Sequence, residues 1–445
     1  MMPRARKLGF LVLLSLLFYA SWNWTYLPLL LGTALFAWMG GLWMSRLHRE
    51  GGSGLALVVI GLLLPLFVFK YYNWAAGALE TVLPFSLGRT DAALPLGISF
   101  FTFQAIAYVV DIRRGRDAEA SPVQFAAFLT FFPQLISGPI VRIQELLPQL
   151  KARPWLQPGD VGFALYRIGM GVTKKVVFAD TLKLAIVAPV FADPANYSGL
   201  EIAIALYAYT LQIYCDFSGY MDIALGSARL FGLRLPENFD RPYLATSVAG
   251  FWRRWHITLS NWVRDYVYFG LGGARVQSEW KVYRNIIVTL VVIGIWHKAS
   301  WMLVLYGFLH GLAVCINRYF RKKTGRRPED PLPSVWSWMW RFFLTFHFVV
   351  AARILFRADD FSSASEILVG LSGSYSMAPA FSGLALAVLA LGYLFHFSPL
   401  RLERRLGDFF KRSGPGFWTL GLATVGLLCI LFGSDQILAF EYYRF

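Results

Sequence analysis

Two histidines stand at the ends of consecutive apolar runs. The first run, Ile286 to Trp296, leads to His297, and the second, Trp301 to Leu309, leads to His310. An imidazole with a pKa near 6.5 can take up and return a proton near neutral pH. At about 1.5 Å per residue, the first run covers roughly 16 Å, about half of a ~30 Å hydrocarbon core. An ionisable group at that depth is a candidate functional residue, although a capping or packing histidine would have the same spacing.

The composition is typical of a helical membrane protein. The 445 residues are 57% hydrophobic and 17% aromatic, and only 15% are charged, whereas ordinary globular domains carry about 25% charged residues. Many apolar runs approach the ~18–20 residues that span a bilayer. We therefore expect an all-α polytopic membrane protein that forms a single membrane-embedded domain over residues 1–445.

The net charge of +16 has a simple explanation in such a protein. In a soluble chain this charge would suggest nucleic acid as a partner. Here the lysines and arginines cluster in short loops, as the positive-inside rule requires, so we expect membrane lipid and no nucleic acid. The three cysteines, all in apolar segments, show no metal-ligand or disulfide spacing. We expect no metal site.

Apolar runs predict roughly 10–11 transmembrane helices. The basic N-terminus precedes Leu8 to Tyr19 without a cleavage site, which indicates a retained first helix rather than a signal peptide. The predicted simple spans are Leu8–Trp22, Leu27–Leu47, Leu55–Tyr72, Pro95–Ile112, Glu201–Leu230, Trp336–Phe356, Phe381–Phe397 and Phe417–Phe432, together with the two runs around His297.

Three further segments are interrupted by proline, glycine or charged residues. They are Phe125–Val141, Phe163–Phe191 and Pro242–Leu271. Polar or broken segments at membrane depth are tolerated where they line a cavity or lie at an interface. We expect re-entrant or interfacial helices around a central polar funnel.

Loop charges orient the C-terminal half. The loops Arg318–Arg327 and Arg401–Arg412 are strongly basic and are expected on the cytoplasmic side. The loop Ala358–Pro379 between them has no lysine or arginine and suits the outer side. The last helix then crosses outward and leaves the tail 440–445 on the outer face.

Several long motifs, in order along most of the chain, resemble the membrane-bound O-acyltransferase superfamily, and within it the branch of the alginate O-acetyltransferase membrane subunit. The motifs are LPLGISFFTFQAIAYVVDIRRG (94–115), FFPQLISGPIVR (131–142), YCDFSGYMDIALGSARLFGLRLPENFDRPY (214–243), FWRRWHITLSNWVRDYVYFGLGG (251–273) and GIWHKASWMLVLYGFLHG (294–311).

The resemblance implies acyl transfer from a cytoplasmic coenzyme A thioester to a cell-envelope polymer. It places the family's invariant histidine on His297 and its second histidine motif on His256. Such a transfer needs a base for the hydroxyl proton and hydrogen-bond donors for the developing oxyanion. His297 is the expected base, and His256 would orient it, bind the acyl carbonyl, or only anchor a helix. The spacing of His310 favours a structural role.

The chain departs from the family pattern in three places. Lys298 stands where the family usually has glycine, and it could pair with a phosphate or a carboxylate. Arg353 stands where the family usually has tryptophan, and snorkelling toward the outer interface would account for it. Met1–Tyr19 lines up with the loop before the family's second helix, so we expect the family's usual first transmembrane helix to be missing. These departures leave the acceptor and the acyl group open.

The resemblance implies acetyl-CoA as the acyl donor, a substrate rather than a tightly bound cofactor. Cations could bind its phosphates at a cytoplasmic mouth, although positive-inside anchoring is the alternative for each. The candidates are Arg253, Arg254, Arg264, Lys174, Lys175 and Arg142. The acids Asp216, Asp222 and Asp265 lie in apolar surroundings, and we expect them to pair with nearby arginines.

The last six residues, FEYYRF, resemble the family's terminal F-x-Y-x-x-F tail, and a small partner in lipoteichoic acid D-alanylation carries a similar tail on a separate chain. Here the tail consists of Phe440, Tyr442 and Phe445. The implied hypothesis is that the Tyr442 phenol accepts the acyl group and presents it to an exported transferase. A terminal aromatic belt that anchors the last helix is the alternative.

These expectations combine into a multi-pass O-acetyltransferase of an exopolysaccharide such as alginate, or of a cell-wall glycan, in the bacterial cytoplasmic (inner) membrane. An exported SGNH-hydrolase-like acetyltransferase would be its partner. D-alanyl transfer to teichoic acid is a second enzyme hypothesis. A transporter or flippase is a third, which predicts flux that survives His297→Ala, but the repeated broken helices of many transporters are missing.

Overall fold

The chain folds almost entirely into helices. A computed structural model describes residues 4–47, 52–152, 156–325, 327, 330, 333–373, 380–434 and 438–441. The α-helices are, in order, α1 (Arg4–Asn23), α2 (Leu27–Arg46), α3 (Gly52–Leu66), α4 (Tyr72–Glu80), α5 (Ile98–Arg113), α6 (Pro122–Leu129), α7 (Phe132–Leu135), α8 (Ile143–Lys151), α9 (Asp160–Thr173), α10 (Ala188–Ala192), α11 (Gly199–Leu230), α12 (Val248–Trp252), α13 (Ile257–Val263), α14 (Glu279–His297), α15 (Trp301–Lys323), α16 (Val335–Arg357), α17 (Phe361–Leu371), α18 (Gly383–Phe397), α19 (Leu400–Arg412) and α20 (Pro415–Phe432).

Within the part of the chain that the structure describes, five helical segments are long and apolar enough to cross a membrane. A sixth is added if α18 and α19, which are bent by 88° at their junction, form one broken span. The five are Lys7–Arg46, Ser53–Glu80, Trp301–Lys323, Val335–Arg357 and Pro415–Phe432. The prediction of an all-α polytopic membrane protein is confirmed. The central funnel stays a prediction.

Wide π-helical turns interrupt several of these helices. A π turn admits one extra residue per turn and changes which side chains share a face. The π segments are Phe67–Tyr71, Lys174–Asp180, Lys183–Val187 and Arg264–Tyr268. The last three of these lie in segments that the sequence marks as interrupted, and each carries at least one charged residue discussed below.

Two helices lie where the sequence indicated loops. α17 occupies part of the predicted outer loop, and the Asp360 carboxylate caps it by accepting a hydrogen bond from the Ser363 backbone N–H at 2.8 Å. The Ser363 backbone and hydroxyl bonds hold the pKa of Asp360 below its usual value. α19 occupies the basic segment before α20. Charge alone therefore located the loops but did not exclude helices within them.

The described residues form two compact units. The first combines the chain up to Gln157 with Ser227–Pro236, and the second combines Pro158–Gly226 with the chain from Glu237 onward. In the first unit α5 is buried along most of its length and packs against α2 and α3. The sequence-based expectation of one domain stays a prediction, since compact units do not decide it.

The second unit contains the α14–α15 hairpin, which carries both histidines of the central stretch. Two glycines allow the two helices to touch. A Cβ on Gly294 would overlap the backbone oxygen of Leu303, and a Cβ on Gly307 would overlap that of Leu290. No side chain separates the two backbones at these glycines, so the helices that carry His297 and His310 pack directly against each other.

Candidate active site

His297 is the last residue of α14. The helix ends there because Lys298 is extended, with φ −149° and ψ 134°. Ser300 then caps α15 by accepting a hydrogen bond from the Met302 backbone N–H at 3.2 Å. The His297 side chain is buried, and its ring centroid lies 5.2 Å from that of Phe356. The interrupted hairpin therefore holds an imidazole in an aromatic setting.

His256 is buried directly before α13 in a left-handed backbone conformation, with φ 45° and ψ 55°. Such a conformation is uncommon outside glycine and costs roughly 1–2 kcal/mol. Asn238 Oδ1 accepts a hydrogen bond from the Thr258 backbone N–H at 3.0 Å, which identifies it as an oxygen. Since the same Oδ1 lies 3.2 Å from His256 Nδ1, the imidazole donates from Nδ1 and keeps Nε2 as its acceptor nitrogen.

Trp296 lies against both of these histidines. Its ring centroid is 5.7 Å from that of His256 and 4.9 Å from that of His297. The structure therefore brings the two sequence-predicted catalytic histidines to the same indole. We call the group formed by His256, Trp296, His297, Phe356 and Arg353 the aromatic cluster.

Arg353 belongs to this cluster, although the sequence indicated no functional role for it. Its side chain is only 1% exposed, and its guanidinium carbon lies 4.9 Å from the Trp255 ring centroid and 5.4 Å from that of Phe356. Snorkelling toward an interface is therefore the wrong explanation. An arginine inside the apolar run AARILF was the available signal, and the sequence could not show that the side chain turns inward.

His310 is buried on α15 beside the cluster. The Trp252 indole N–H donates to its Nδ1 at 3.2 Å, so the neutral imidazole carries its proton on Nε2. Its ring also packs 4.3 Å from that of Tyr306. Among the described residues, no acceptor bonds to Nε2. These contacts suit the predicted packing role.

Lys175 lies on the π segment after α9, and its ammonium group contacts three acceptors. It pairs with Asp180 and Asp216 at 2.8 Å each and lies 3.3 Å from the Ala439 backbone oxygen. An ammonium group has three N–H donors, and these partners surround it with acceptors from the protein itself. The predicted phosphate-binding role of Lys175 stays a prediction.

Lys174 is engaged in a similar way by a different acid. Its ammonium lies 2.7 Å from Asp222, which also pairs with Arg167 at 2.6 Å. The π turn directs two consecutive lysines to carboxylates six residues apart on α11. The predicted pairing of Asp222 with an arginine is confirmed, whereas Asp216 pairs with a lysine.

Among the predicted phosphate-binding arginines, the side chains of three are exposed. The side chain of Arg254 is 40% exposed beside Asp240, and that of Arg264 is 52% exposed and paired with Asp265 at 2.7 Å. Arg253 is exposed. Arg142 belongs to the first unit, where it caps α8 and its backbone N–H donates to Glu145 at 3.1 Å. Their predicted role stays a prediction.

The tail residue Tyr442 lies outside the described residues. The residue directly before it, Glu441, is held by a hydrogen bond and an ion pair. The backbone N–H of Glu441 donates to Asp216 at 2.9 Å, and its carboxylate pairs with Lys183. We call the group formed by Lys175, Asp180, Lys183, Asp216 and Glu441 the tail clamp. It holds the end of the described chain against α11 and the π segments.

Phe440 packs against the tail clamp. Its ring centroid is 5.3 Å from that of Tyr220 and 4.7 Å from the Lys175 ammonium.

Lys298, the residue after His297, is exposed. It pairs with Asp359 at 2.6 Å, and the two side chains are 45% and 75% exposed. A carboxylate partner was one of the two expected for it.

Comparison with known proteins shows the family of this chain. The model of the MBOAT, membrane-bound O-acyltransferase family matches residues 113–356, a span that contains both histidines of the cluster. The chain belongs to this family. It is therefore a multi-pass membrane O-acyltransferase, as the sequence motifs indicated.

Similar curated proteins agree with the family. A peptidoglycan O-acetyltransferase of Helicobacter pylori is 36% identical over 82% of this chain and 73% of its own length. A probable alginate O-acetylase of Pseudomonas aeruginosa is 34% identical over 86% and 74%. A teichoic acid D-alanyltransferase of Streptococcus thermophilus is 28% identical over 77% and 82%.

Proposed function

We propose that this O-acyltransferase moves an acetyl group from cytoplasmic acetyl-CoA across the bacterial cytoplasmic membrane for O-acetylation of a cell-envelope glycan. The relatives named for O-acetylation, at 34–36% identity, support acetyl over D-alanyl, since the D-alanyltransferase is 28% identical. Alginate and peptidoglycan are the acceptor classes that those names suggest.

The observation that carries the proposal is the meeting of His297 and His256 at Trp296. His297 takes the proton of the attacking hydroxyl, and the coenzyme thiolate that leaves then receives a proton. In the neutral tautomer assigned to His256, Nδ1 donates to Asn238 and Nε2 is the acceptor nitrogen. The uncharged ring can therefore accept a hydrogen bond from a donor in the site and orient that donor.

The Tyr442 phenol serves as the acyl relay. Its oxygen attacks the thioester carbonyl carbon, the carbon–sulfur bond breaks, and an acetyl phenol ester remains on the tail. Support comes from the tail clamp, which ties the residue directly before Tyr442 to the unit that carries His297. An exported SGNH-hydrolase-like acetyltransferase then transfers the acetyl group to the glycan.

The phosphates of the donor would bind exposed arginines of the second unit. Exposed guanidinium groups suit phosphate recognition because they present forked donors. We retain Arg253, Arg254 and Arg264 for this role, and the separate prediction for Arg142, which belongs to the first unit, stays a prediction. Lys174 and Lys175 are instead assigned to the buried ion pairs with Asp222 and Asp216.

Substitution of Tyr442 by phenylalanine tests the relay. The change removes one hydroxyl, so glycan acetylation should be lost while the membrane level of the protein is unchanged. Tyr443→Phe is the matched control and should retain acetylation. Normal glycan acetylation in Tyr442→Phe would discard the relay.

Donor choice tests the acyl group independently. Purified protein is incubated with radiolabelled acetyl-CoA or with a D-alanyl-loaded carrier protein, and transfer is measured. The proposal expects transfer from acetyl-CoA. If D-alanine were transferred from the carrier protein and no acetyl group from acetyl-CoA, the proposed acetyl transfer would be replaced by D-alanyl transfer.

A further inference from the structure

Arg353 is a buried cation without a carboxylate partner among the described residues. Its side chain is 1% exposed, and its guanidinium group lies over the rings of Trp255 and Phe356. Removing a charge from water is costly unless another group replaces the lost hydrogen bonds. The faces of Trp255 and Phe356 compensate part of this cost through cation–π attraction. Hydrogen-bond donors on the guanidinium edge remain to be satisfied.

The unsatisfied donors lie on one edge of the guanidinium. Within the described part of the chain, neither Nε nor Nη2 has a hydrogen-bond acceptor, while the Tyr243 hydroxyl bonds to the same group. Nε–H and the adjacent Nη2–H are parallel donors that together form a fork. Such a fork binds an anionic oxygen more strongly than a neutral one.

The guanidinium lies in the neighbourhood of the proposed base. Its carbon is 5.4 Å from the ring centroid of Phe356, and the ring centroid of His297 is 5.2 Å from the same point. A carbonyl whose oxygen accepts from a guanidinium, and whose attacking oxygen is hydrogen-bonded to an imidazole, connects side chains about 7–8 Å apart. The shared contact with Phe356 is the reason for considering the two groups together at one carbonyl.

We propose that Arg353 is a further catalytic residue, whose Nε–H and Nη2–H bind the carbonyl oxygen of the acetyl thioester and the oxyanion that forms from it. This inference rests on the proposed function. His297 removes the phenol proton, the phenol oxygen attacks the carbonyl carbon, and the negative charge that collects on the carbonyl oxygen lies against the guanidinium. When the carbonyl re-forms, the coenzyme thiolate leaves and takes the proton from the His297 imidazolium.

A donor that acts on the oxyanion contributes to the rate of the chemical step more than to substrate binding. We therefore expect Arg353→Gln to lower kcat for transfer from acetyl-CoA about 10²–10³-fold with KM changed by less than about threefold. Arg353→Lys keeps the charge and loses the fork, so it should recover only part of kcat. Arg357→Gln, one turn along α16, is the matched control and should retain kcat.

Purified variants are assayed with radiolabelled acetyl-CoA, and thermal unfolding in detergent shows whether each is folded. A folded Arg353→Gln or Arg353→Lys variant with the wild-type kcat would overturn the inference. A rise in KM at unchanged kcat would also overturn it, because it would show ground-state binding only. If the wild-type protein transfers nothing from acetyl-CoA, the proposed function itself fails, which is a distinct result.

Discussion

The tail clamp and the aromatic cluster both hold charged groups largely away from water, yet they satisfy these groups in opposite ways. In the clamp, Lys175 uses three protein acceptors and Glu441 is bonded through both its backbone and its carboxylate. In the cluster, Arg353 rests on aromatic faces and keeps two donors without protein acceptors in the described chain. The clamp is suited to hold a segment, and the cluster to bind a transient charge.

This difference separates structural from chemical use of buried charge. A buried ion pair whose hydrogen bonds are complete is destabilised when either partner is removed. A buried donor without a protein acceptor is unfavourable for folding, but it is available to a substrate. Substitutions in the two regions should therefore change different measured quantities.

The largest expected effect is on catalysis, from His297→Ala. Loss of the base should lower acetyl transfer about 10²–10⁴-fold, because the phenol proton has no acceptor. Transfer from radiolabelled acetyl-CoA measures it. His347→Ala, whose ring bonds to the Phe343 backbone oxygen at 2.7 Å, is the control and should retain the rate. Undiminished transfer by His297→Ala would remove His297 from the mechanism.

The next effect is on stability, from Asp222→Asn. The change leaves Lys174 and Arg167, with side chains 8% and 13% exposed, without their shared carboxylate. We expect the free energy of unfolding to fall by about 3–5 kcal/mol, measured as a lower melting temperature in detergent. Asp240→Asn, at a pair 3.6 Å apart on the surface, should cost about 0–1 kcal/mol. Equal losses in both variants would contradict the structural role of Asp222.

A charge reversal breaks the tail clamp without deleting the tail. Lys183→Glu places like charges at Glu441, and it should lower acetyl transfer about 10–100-fold through misplacement of Tyr442. The double variant Lys183→Glu, Glu441→Lys restores opposite charges and should recover most of the rate. If the double variant were as slow as the single one, the pairing would not be what positions the tail.

The smallest effect is expected at Lys298, although it follows the base directly. Its pair with Asp359 is exposed, and such pairs contribute about 0–1 kcal/mol. Lys298→Gln should therefore change the transfer rate about twofold or less, and Asp359→Asn should match it. A much larger loss in Lys298→Gln than in Asp359→Asn would show that Lys298 acts on the substrate.

Much of the fold was predictable because apolar runs of membrane length leave few alternatives. The runs around His297 became α14 and α15, and the break at Lys298 was visible in the sequence. The motifs also pointed to His256 as the second histidine. What they could not give was its tautomer, which depends on Asn238, a residue 18 positions away.

The residues whose partners the sequence could not give are those whose direction depends on packing. Lys174 and Lys175 are consecutive, so a regular helix would separate their side chains by about 100°. The π segment that starts at Lys174 changes this geometry, and each lysine reaches a carboxylate of α11. Arg353 had the same ambiguity, since a position near a helix end is compatible with either an outward or an inward side chain.

The central claim is that acetyl passes through the Tyr442 phenol under the control of His297. Mass spectrometry of the C-terminal peptide, after incubation of purified protein with acetyl-CoA, tests this most directly. The account predicts one added acetyl group on Tyr442 in the wild-type protein and none in His297→Ala. An unmodified tail in a wild-type protein that still consumes acetyl-CoA and acetylates its acceptor would contradict it.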